Sequence, residues 1–332
     1  MGILSTGNIA RQFATGALSA QRCVLAAVGS RELAGAKAFA DAYRIAFAFG
    51  SYAELVNSPE VDAVYNALPN SLHHEWTLAA LNAGKHVLCE KPLASDARQA
   101  REMFDGAERT GRVLVEAFMY RSHPQTLGAL EAVRSGAIGD LKLIRTSFCY
   151  RTRRVEGNIR FDPNLAGGGL MDIGCYCIDF SRLFAGSKVV RVDVTGHVHD
   201  SGVDDLAAGT LTFANGIIAS FTCGMTLQAD NTAYLCGSEG YIEIPVPWKP
   251  PLEKAGFTIA RGTPPKMDAV GQPAPAAPPR EWRATPSGAL YALEADDFAA
   301  TVLDRQSPRV SRADSVGTME ILDLMRGRLG IL

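Results

Sequence analysis

The sequence predicts an α/β protein in two parts: a parallel sheet with crossover helices over residues 1–121, then an α+β domain with an open, mostly antiparallel sheet over residues 122–332. Three observations lead there. The chain has 332 residues, enough for two domains at roughly 100 to 200 residues each. Up to Arg121, short apolar runs alternate with segments of helical period, as βα units require. Beyond Arg121 the rhythm changes to longer alternating stretches, which read as antiparallel strands.

In the first part the strand candidates are Gly2 to Leu4, Val24 to Val28, Ala63 to Ala67, His86 to Cys89 and Val113 to Ala117. Ile9, Phe13 and Ala17 recur every fourth residue, as do Ala34, Ala38 and Ala42, and each row marks one face of a crossover helix. The first strand is short because the chain begins almost inside it, which leaves open whether residues precede Met1. In the second part the strand candidates are Leu141 to Tyr150, Val189 to His199, Leu206 to Phe213, Ile217 to Cys223, Ala233 to Gly237 and Tyr241 to Pro245, with one helical segment after Gly169. Eleven of the 17 prolines fall between Pro245 and Pro286. Such a stretch can donate few ladder bonds and is expected as a loop excursion, with a proline-rich recognition peptide as its alternative use. Helical period returns from Leu290 to the end of the chain, and these helices are free to pack back on the first domain.

Composition narrows the function. The chain is 47% hydrophobic and 20% charged, with a formal net charge of -2, so nothing global favours a polyanion and no nucleic acid is expected. No run approaches 18 apolar residues, so no membrane span is expected. Seven cysteines without a C-x-x-C pair fit free thiols in a reducing, cytoplasmic setting. His197 and His199 would share one strand face, but no third ligand is evident and no metal is expected.

Between the first strand and its helix the chain reads Ser5-Thr6-Gly7-Asn8-Ile9-Ala10. A turn there lets a pyrophosphate meet the free N–H groups of a helix N-terminus, as in a Rossmann dinucleotide-binding domain. Against G-x-G-x-x-G only the middle glycine is kept; Ser5 replaces the first and Ala10 the last. An ordinary tight turn is the competing reading. At the end of the second strand, where the adenosine ribose is read, stand Ser30 and Arg31. A hydroxyl beside a guanidinium suits a 2′-phosphate and hence NADP. The alternative makes Arg31 a solvated residue and Glu32 the ribose ligand, which would suit NAD.

Leu68-Pro69-Asn70-Ser71-Leu72-His73, Glu90-Lys91-Pro92, Gly111 through Glu116 to Arg121, Gly167-Gly-Gly-Leu-Met-Asp172-Ile-Gly-Cys-Tyr176 and Glu294 to Phe298 together resemble the Gfo/Idh/MocA oxidoreductase family over nearly the whole chain. The resemblance implies a Rossmann domain followed by an open-faced sheet domain, and a nicotinamide-dependent oxidation or reduction of a sugar, polyol or diol between them. It implies that Leu68, Pro69, Asn70, His73, Glu90 and Lys91 border the cofactor, that Lys91 lies beside the nicotinamide, and that Asp172 and Tyr176 complete the site. Tyr176 stands where a histidine is commoner, which matches the branch containing glucose-fructose oxidoreductase, dimeric dihydrodiol dehydrogenases and NADP-linked xylose dehydrogenases. A cis bond before Pro92 and assembly into a homodimer or homotetramer are also implied.

Oxidising an alcohol requires a hydride acceptor and a base for the hydroxyl proton. A Lys91 ammonium about 4 Å from the Tyr176 hydroxyl would be worth up to about 4 kcal/mol at an effective dielectric of about 20, enough to bring the tyrosine near neutrality. The alternative gives Lys91 the proton and Tyr176 only a hydrogen bond. Asp172 and Tyr176, four apart after three glycines, are expected on one helix face, with the glycines letting substrate approach; alternatively Asp172 only stabilises the first turn. Arg121, His123 and Arg160 are candidates for substrate contact, with interdomain ion pairing as the other use of Arg121 and His123. His73 either borders the nicotinamide or is a satisfied loop histidine. The function expected is an NADP-dependent oxidoreductase acting on a sugar, polyol or trans-dihydrodiol. A keto-sugar reductase and a non-catalytic dinucleotide-binding regulator are the alternatives.

Overall fold

The computed structural model describes residues 1–262 and 279–331. The first sheet has six strands in the order β3-β2-β1-β4-β5-β6, all paired in parallel: β1 Gly2–Leu4, β2 Ala27–Gly29, β3 Phe47–Phe49, β4 Ala63–Asn66, β5 His86–Glu90 and β6 Leu114–Ala117. Its central strands read as unbroken apolar runs because helices cover both faces, and Ile3, Leu4, Val64, Tyr65, Val87 and Leu88 are all buried. Two expectations are corrected. The second strand starts at Ala27, since Val24 is 77% exposed, and β3 was missed because it is a short edge strand with an exposed Phe47. The crossover helices are α1 Asn8–Ala17, α2 Leu33–Tyr43, α3 Tyr52–Asn57, α4 His73–Asn82 and α5 Ala97–Thr110. Strand order reverses between β1 and β4, so the crevice beyond their carboxyl ends is where such a sheet binds ligand.

After α6 Pro124–Arg134 the chain builds an eight-stranded sheet in the order β14-β13-β12-β11-β7-β10-β9-β8. The strands are β7 Leu141–Cys149, β8 Val189–Val198, β9 Asp204–Phe213, β10 Ile218–Gly224, β11 Ala233–Gly237, β12 Gly240–Ile244, β13 Gly256–Arg261 and β14 Arg280–Ala284. All neighbours are antiparallel except β7 and β10. The expected loop excursion over the prolines is corrected in part: β13 and β14, neither containing proline, extend the sheet. Residues 263–278 of that stretch lie outside the described residues, and with them the proline-rich peptide reading. Helix α7 Cys175–Ala185 packs on β7 and β10, α8 Leu290–Leu303 lies against α1, and α9 Arg312–Leu329 lies against α5, α7 and β8. Asp296 accepts from Gln21 N at 2.9 Å and Asp323 from Ala97 N at 2.8 Å, tying both last helices to the first sheet's layer.

Glu116 on β6 is a buried carboxyl with one tie: Oε1 accepts from Leu93 N at 2.8 Å while Oε2 has no partner. Burial pushes it up to about 8. A carboxyl raised above its unfolded value of about 4.3 adds stability that is full below that value and is lost as pH rises toward 8. Glu116→Gln is therefore expected to flatten the loss of stability between about pH 5 and pH 8, read as melting temperature against pH. An unchanged slope would show that Glu116 is ionised in the fold.

Candidate active site

β1 delivers the chain into the crevice at Ser5, whose φ of 103° is a conformation glycine normally supplies. Ser5 N donates to Gly29 O at 3.0 Å, and the Ser5 hydroxyl accepts from Gly7 N at 3.0 Å. The serine thus holds the turn shut with its own side chain. Gly7 has an ordinary φ of -69° and caps α1 with no side-chain acceptor, so its value is space: a Cβ there would lie 3.1 Å from Ser5 Oγ. No acidic residue sits in the first turn of α1, so the leading N–H groups of Asn8, Ile9 and Ala10 await an external anion. These features fit a dinucleotide pyrophosphate. At the end of β2, Ser30 N donates to Phe49 O at 3.2 Å, and Arg31 is exposed with no carboxylate partner among the described residues. Glu32, the other candidate there, caps α2 without a side-chain bond.

The loop after β4 and the turn after β5 are joined by His73. Its Nε2 lies 2.8 Å from Leu68 O and its Nδ1 2.9 Å from Pro92 O. Burial lowers its pKa to about 4 against the pull of those carbonyls, so it is a neutral staple. A neutral ring has a single N–H and donates to one of these two carbonyls, which is the loop-histidine reading for that nitrogen and leaves the other facing an acceptor. The Lys91–Pro92 bond is cis. Asn70 Nδ2 donates to Ala166 O at 2.9 Å, bridging to the second sheet's side of the crevice. Glu90, kept above the usual carboxylate range by burial, is bonded to the Tyr65 hydroxyl and accepts from Lys91 N at 3.2 Å.

Lys91 and Asp172, 81 residues apart, meet in the crevice. Lys91 Nζ donates to Asp172 O at 2.7 Å and lies 3.3 Å from Asp172 Oδ1. Asp172 sits in a π-helical turn, Leu170–Gly174, ahead of α7, and its carbonyl also accepts from Cys175 Sγ at 3.6 Å. Asp172 Oδ2 accepts from Tyr150 Oη at 2.6 Å and from Arg160 Nε at 2.9 Å. Burial alone would raise Asp172, but Lys91, Arg160 and the Tyr150 hydroxyl outweigh it and hold the carboxyl at about 2. Burial would likewise lower Lys91, yet the Asp172 charge prevails and keeps it raised, hence protonated.

Tyr176 does not titrate as expected. Its hydroxyl faces Met119 Sδ at 3.3 Å, and its ring packs among Phe118, Phe148 and Trp248. Burial pushes its pKa well above 10. The Lys91 ammonium lies over the ring, 5.0 Å from its centre, rather than beside the hydroxyl. The glycines also have another use. A Cβ on Gly167 would lie 2.4 Å from Arg160 O, and one on Gly168 would lie 2.4 Å from Asp204 Oδ1, so the chain itself fills the space expected for substrate.

Arg121 and His123 are corrected as substrate contacts. Arg121 is buried and bidentate to Asp179 at 2.6 and 2.8 Å, and His123 caps α6 by accepting from Gln125 N at 3.1 Å. Arg160 stands in the crevice as described. Sequence reasoning missed Tyr150, which only ended a strand pattern, and Lys249, whose Nζ reaches Gln12 Oε1 on α1 at 2.9 Å. Neither carries a motif.

Two family profiles match. Residues 1–118 match "Oxidoreductase family, NAD-binding Rossmann fold" and residues 127–243 match "GFO/IDH/MocA C-terminal domain". D-xylose 1-dehydrogenase (NADP(+)) 2 of Haloferax volcanii is 35% identical over 97% of this chain and 94% of its own. Trans-1,2-dihydrobenzene-1,2-diol dehydrogenase of Mus musculus is 37% identical over 75% of each chain. Among solved structures, a 3-ketoreductase from Actinomadura kijaniata in complex with NADP and TDP-benzene is 30% identical with a TM-score of 0.85, covering 98% of this chain and 96% of that one.

Proposed function

The chain belongs to the GFO/IDH/MocA oxidoreductase family, and on that premise we propose that it is an NADP-dependent oxidoreductase moving a hydride between nicotinamide and a carbinol carbon of a sugar, polyol or trans-dihydrodiol. The observation that carries it is the Lys91–Asp172 pair facing the crevice beside an uncapped helix N-terminus. Bound NADP supplies the hydride acceptor or donor. In the Ser5, Thr6, Gly7, Asn8 and Ile9 turn, the N–H groups of Asn8 and Ile9, with that of Ala10, take the pyrophosphate while those of Ser5 and Gly7 hold the turn itself; Ser30 and Arg31 take the 2′-phosphate, and Leu68, Pro69, Asn70, Glu90 and Lys91 border the nicotinamide. His73 acts behind them, packed between the Leu68 and Pro92 carbonyls and donating to one of them.

In the reducing direction Lys91 gives its proton to the oxygen of the substrate carbonyl as the hydride adds to carbon. In the oxidising direction the C–H electron pair leaves as hydride, the C=O bond forms, and unprotonated Lys91 takes the hydroxyl proton. Asp172 holds Lys91 by its carboxylate and its carbonyl, and the Tyr176 ring supports the ammonium from below. Because Lys91 is raised, oxidation should gain with pH through the alkaline range while reduction falls. A protonated Lys91 also favours the second reading, a keto-sugar reductase using the same residues. Following nicotinamide absorbance across sugars, polyols and diols in both directions tests the proposal; tight NADP binding without turnover on any of them would make the protein a regulator.

The division between cofactor and substrate domains is placed at about residue 121. Val190, Ile218 and Trp282, exposed on strands of the eight-stranded sheet, support a homodimer or homotetramer. Free cysteines among the described residues support a cytoplasmic setting. Arg31→Asp should weaken NADP binding roughly tenfold to a hundredfold and leave NAD equal or better. Equal affinity for both cofactors in the parent protein would show that Arg31 does not reach the phosphate.

A further inference from the structure

We infer that the substrate carries an oxyanion, a carboxylate or a phosphate, which is received by Arg151, Arg153 and Arg154 together with the outer edge of Arg160. The inference rests on the oxidoreductase reading and narrows its substrate class.

The loop that leaves β7 begins and ends on the site carboxylate. Tyr150 donates to Asp172 Oδ2 at 2.6 Å and Arg160 Nε to the same oxygen at 2.9 Å. Between them run Arg151, Arg153 and Arg154, all exposed, with no carboxylate partner among the described residues. The loop is well pinned. Thr152 N donates to Met225 O at 2.8 Å, Arg151 bridges to Thr226, and a turn through Gly157, with φ 71°, folds the chain back so that Arg160 returns to Asp172. Arg151, Thr152, Arg153 and Gln228 line an open recess of about 490 Å³, and the buried Thr152 hydroxyl has no partner among the described residues. Three residues of extended chain span at most about 10 Å, so Arg153 lies within that backbone distance of Tyr150.

The charge balance of the loop favours an anionic ligand. Residues 150–160 hold four arginines and one acidic residue, Glu156, while the whole chain carries a net charge of -2. Asp172, on which both ends of the loop converge, is already shared by Lys91, Arg160 and Tyr150. Arg160 commits only Nε there, so its two terminal nitrogens remain without a partner among the described residues. Guanidinium forks match carboxylate and phosphate geometry, and a cleft rim of one sign draws in a ligand of the other. A merely solvated loop would have no need to gather like charges between two residues that bind Asp172.

The test compares glucose, glucuronate and glucose 6-phosphate as substrates with saturating NADP, at about 20 mM and 300 mM salt, alongside calorimetric titration of the NADP-loaded protein with each sugar. At least one anionic sugar is expected to bind and turn over at least tenfold better than glucose, with the advantage shrinking at high salt. The two anionic arms tell carboxylate from phosphate. Arg151→Gln combined with Arg153→Gln should erase the advantage and leave the glucose values unchanged; both positions are exposed, so folding is not at stake. If glucose binds as well as both anions, or the double variant treats all three sugars as the parent does, the inference is wrong while the oxidoreductase reading stands. Preferential binding of an anion without turnover in either direction would keep the anion site and overturn the oxidoreductase reading.

Discussion

Lys91→Ala is expected to lower kcat/KM for hydride transfer by about 10² to 10⁴-fold, the usual scale for a positioned proton carrier. The substitution removes the ammonium that Asp172 holds by two contacts, at 2.7 and 3.3 Å, and no other amine stands on both. Tyr176→Phe is the informative contrast. Its hydroxyl touches only a thioether while its ring lies under the ammonium, so phenylalanine should stay within about threefold of the parent, whereas Tyr176→Leu should lose about tenfold with the cation–π contact. A hundredfold loss in Tyr176→Phe, with hydride transfer limiting by primary isotope effect, would return the proton to tyrosine.

Asp172→Ala should have the next largest effect, and on two separate readouts. The carboxylate is the common partner of Lys91, Arg160 and Tyr150, so its loss leaves mostly buried Lys91 without its counter-charge. Breaking a buried pair from one side costs about 3 to 5 kcal/mol, and the partial exposure of Arg160 places this case toward the lower end. Activity should fall at least about a hundredfold, because Lys91 is no longer aimed at the reacting oxygen. The acid limb of the stability curve supplies the second readout. A carboxyl held at about 2, below its unfolded value of about 3.9, adds stability that is present above that value and is lost as pH falls toward 2. The alanine variant should lack that part of the slope. Full activity with an unchanged acid limb would mean that Asp172 is a helix-turn carboxylate and nothing more.

Read alone, the sequence determined the fold class, the two-sheet organisation and the Ser5 to Ala10 turn, while Lys91 and Asp172 became candidates through the resemblance of their motifs to a family. Each rests on local information: a period of two or 3.6 reports which side of an element is buried, and a short motif reports which backbone turn can form. The tertiary structure decided what each side chain meets. It turned the Tyr176 hydroxyl toward Met119, closed Arg121 onto Asp179, and brought Tyr150 to Asp172. It also made Gly167 and Gly168 room for Arg160 and Asp204 instead of substrate, and placed the proline-free strands β13 and β14 within a proline-rich stretch. Periodicity encodes that a residue is buried but not beside what. The proton affinities of Lys91, Asp172 and Tyr176 are set by neighbours distant in sequence, Lys91 and Asp172 themselves standing 81 positions apart, so their roles emerge only when the chain closes around them.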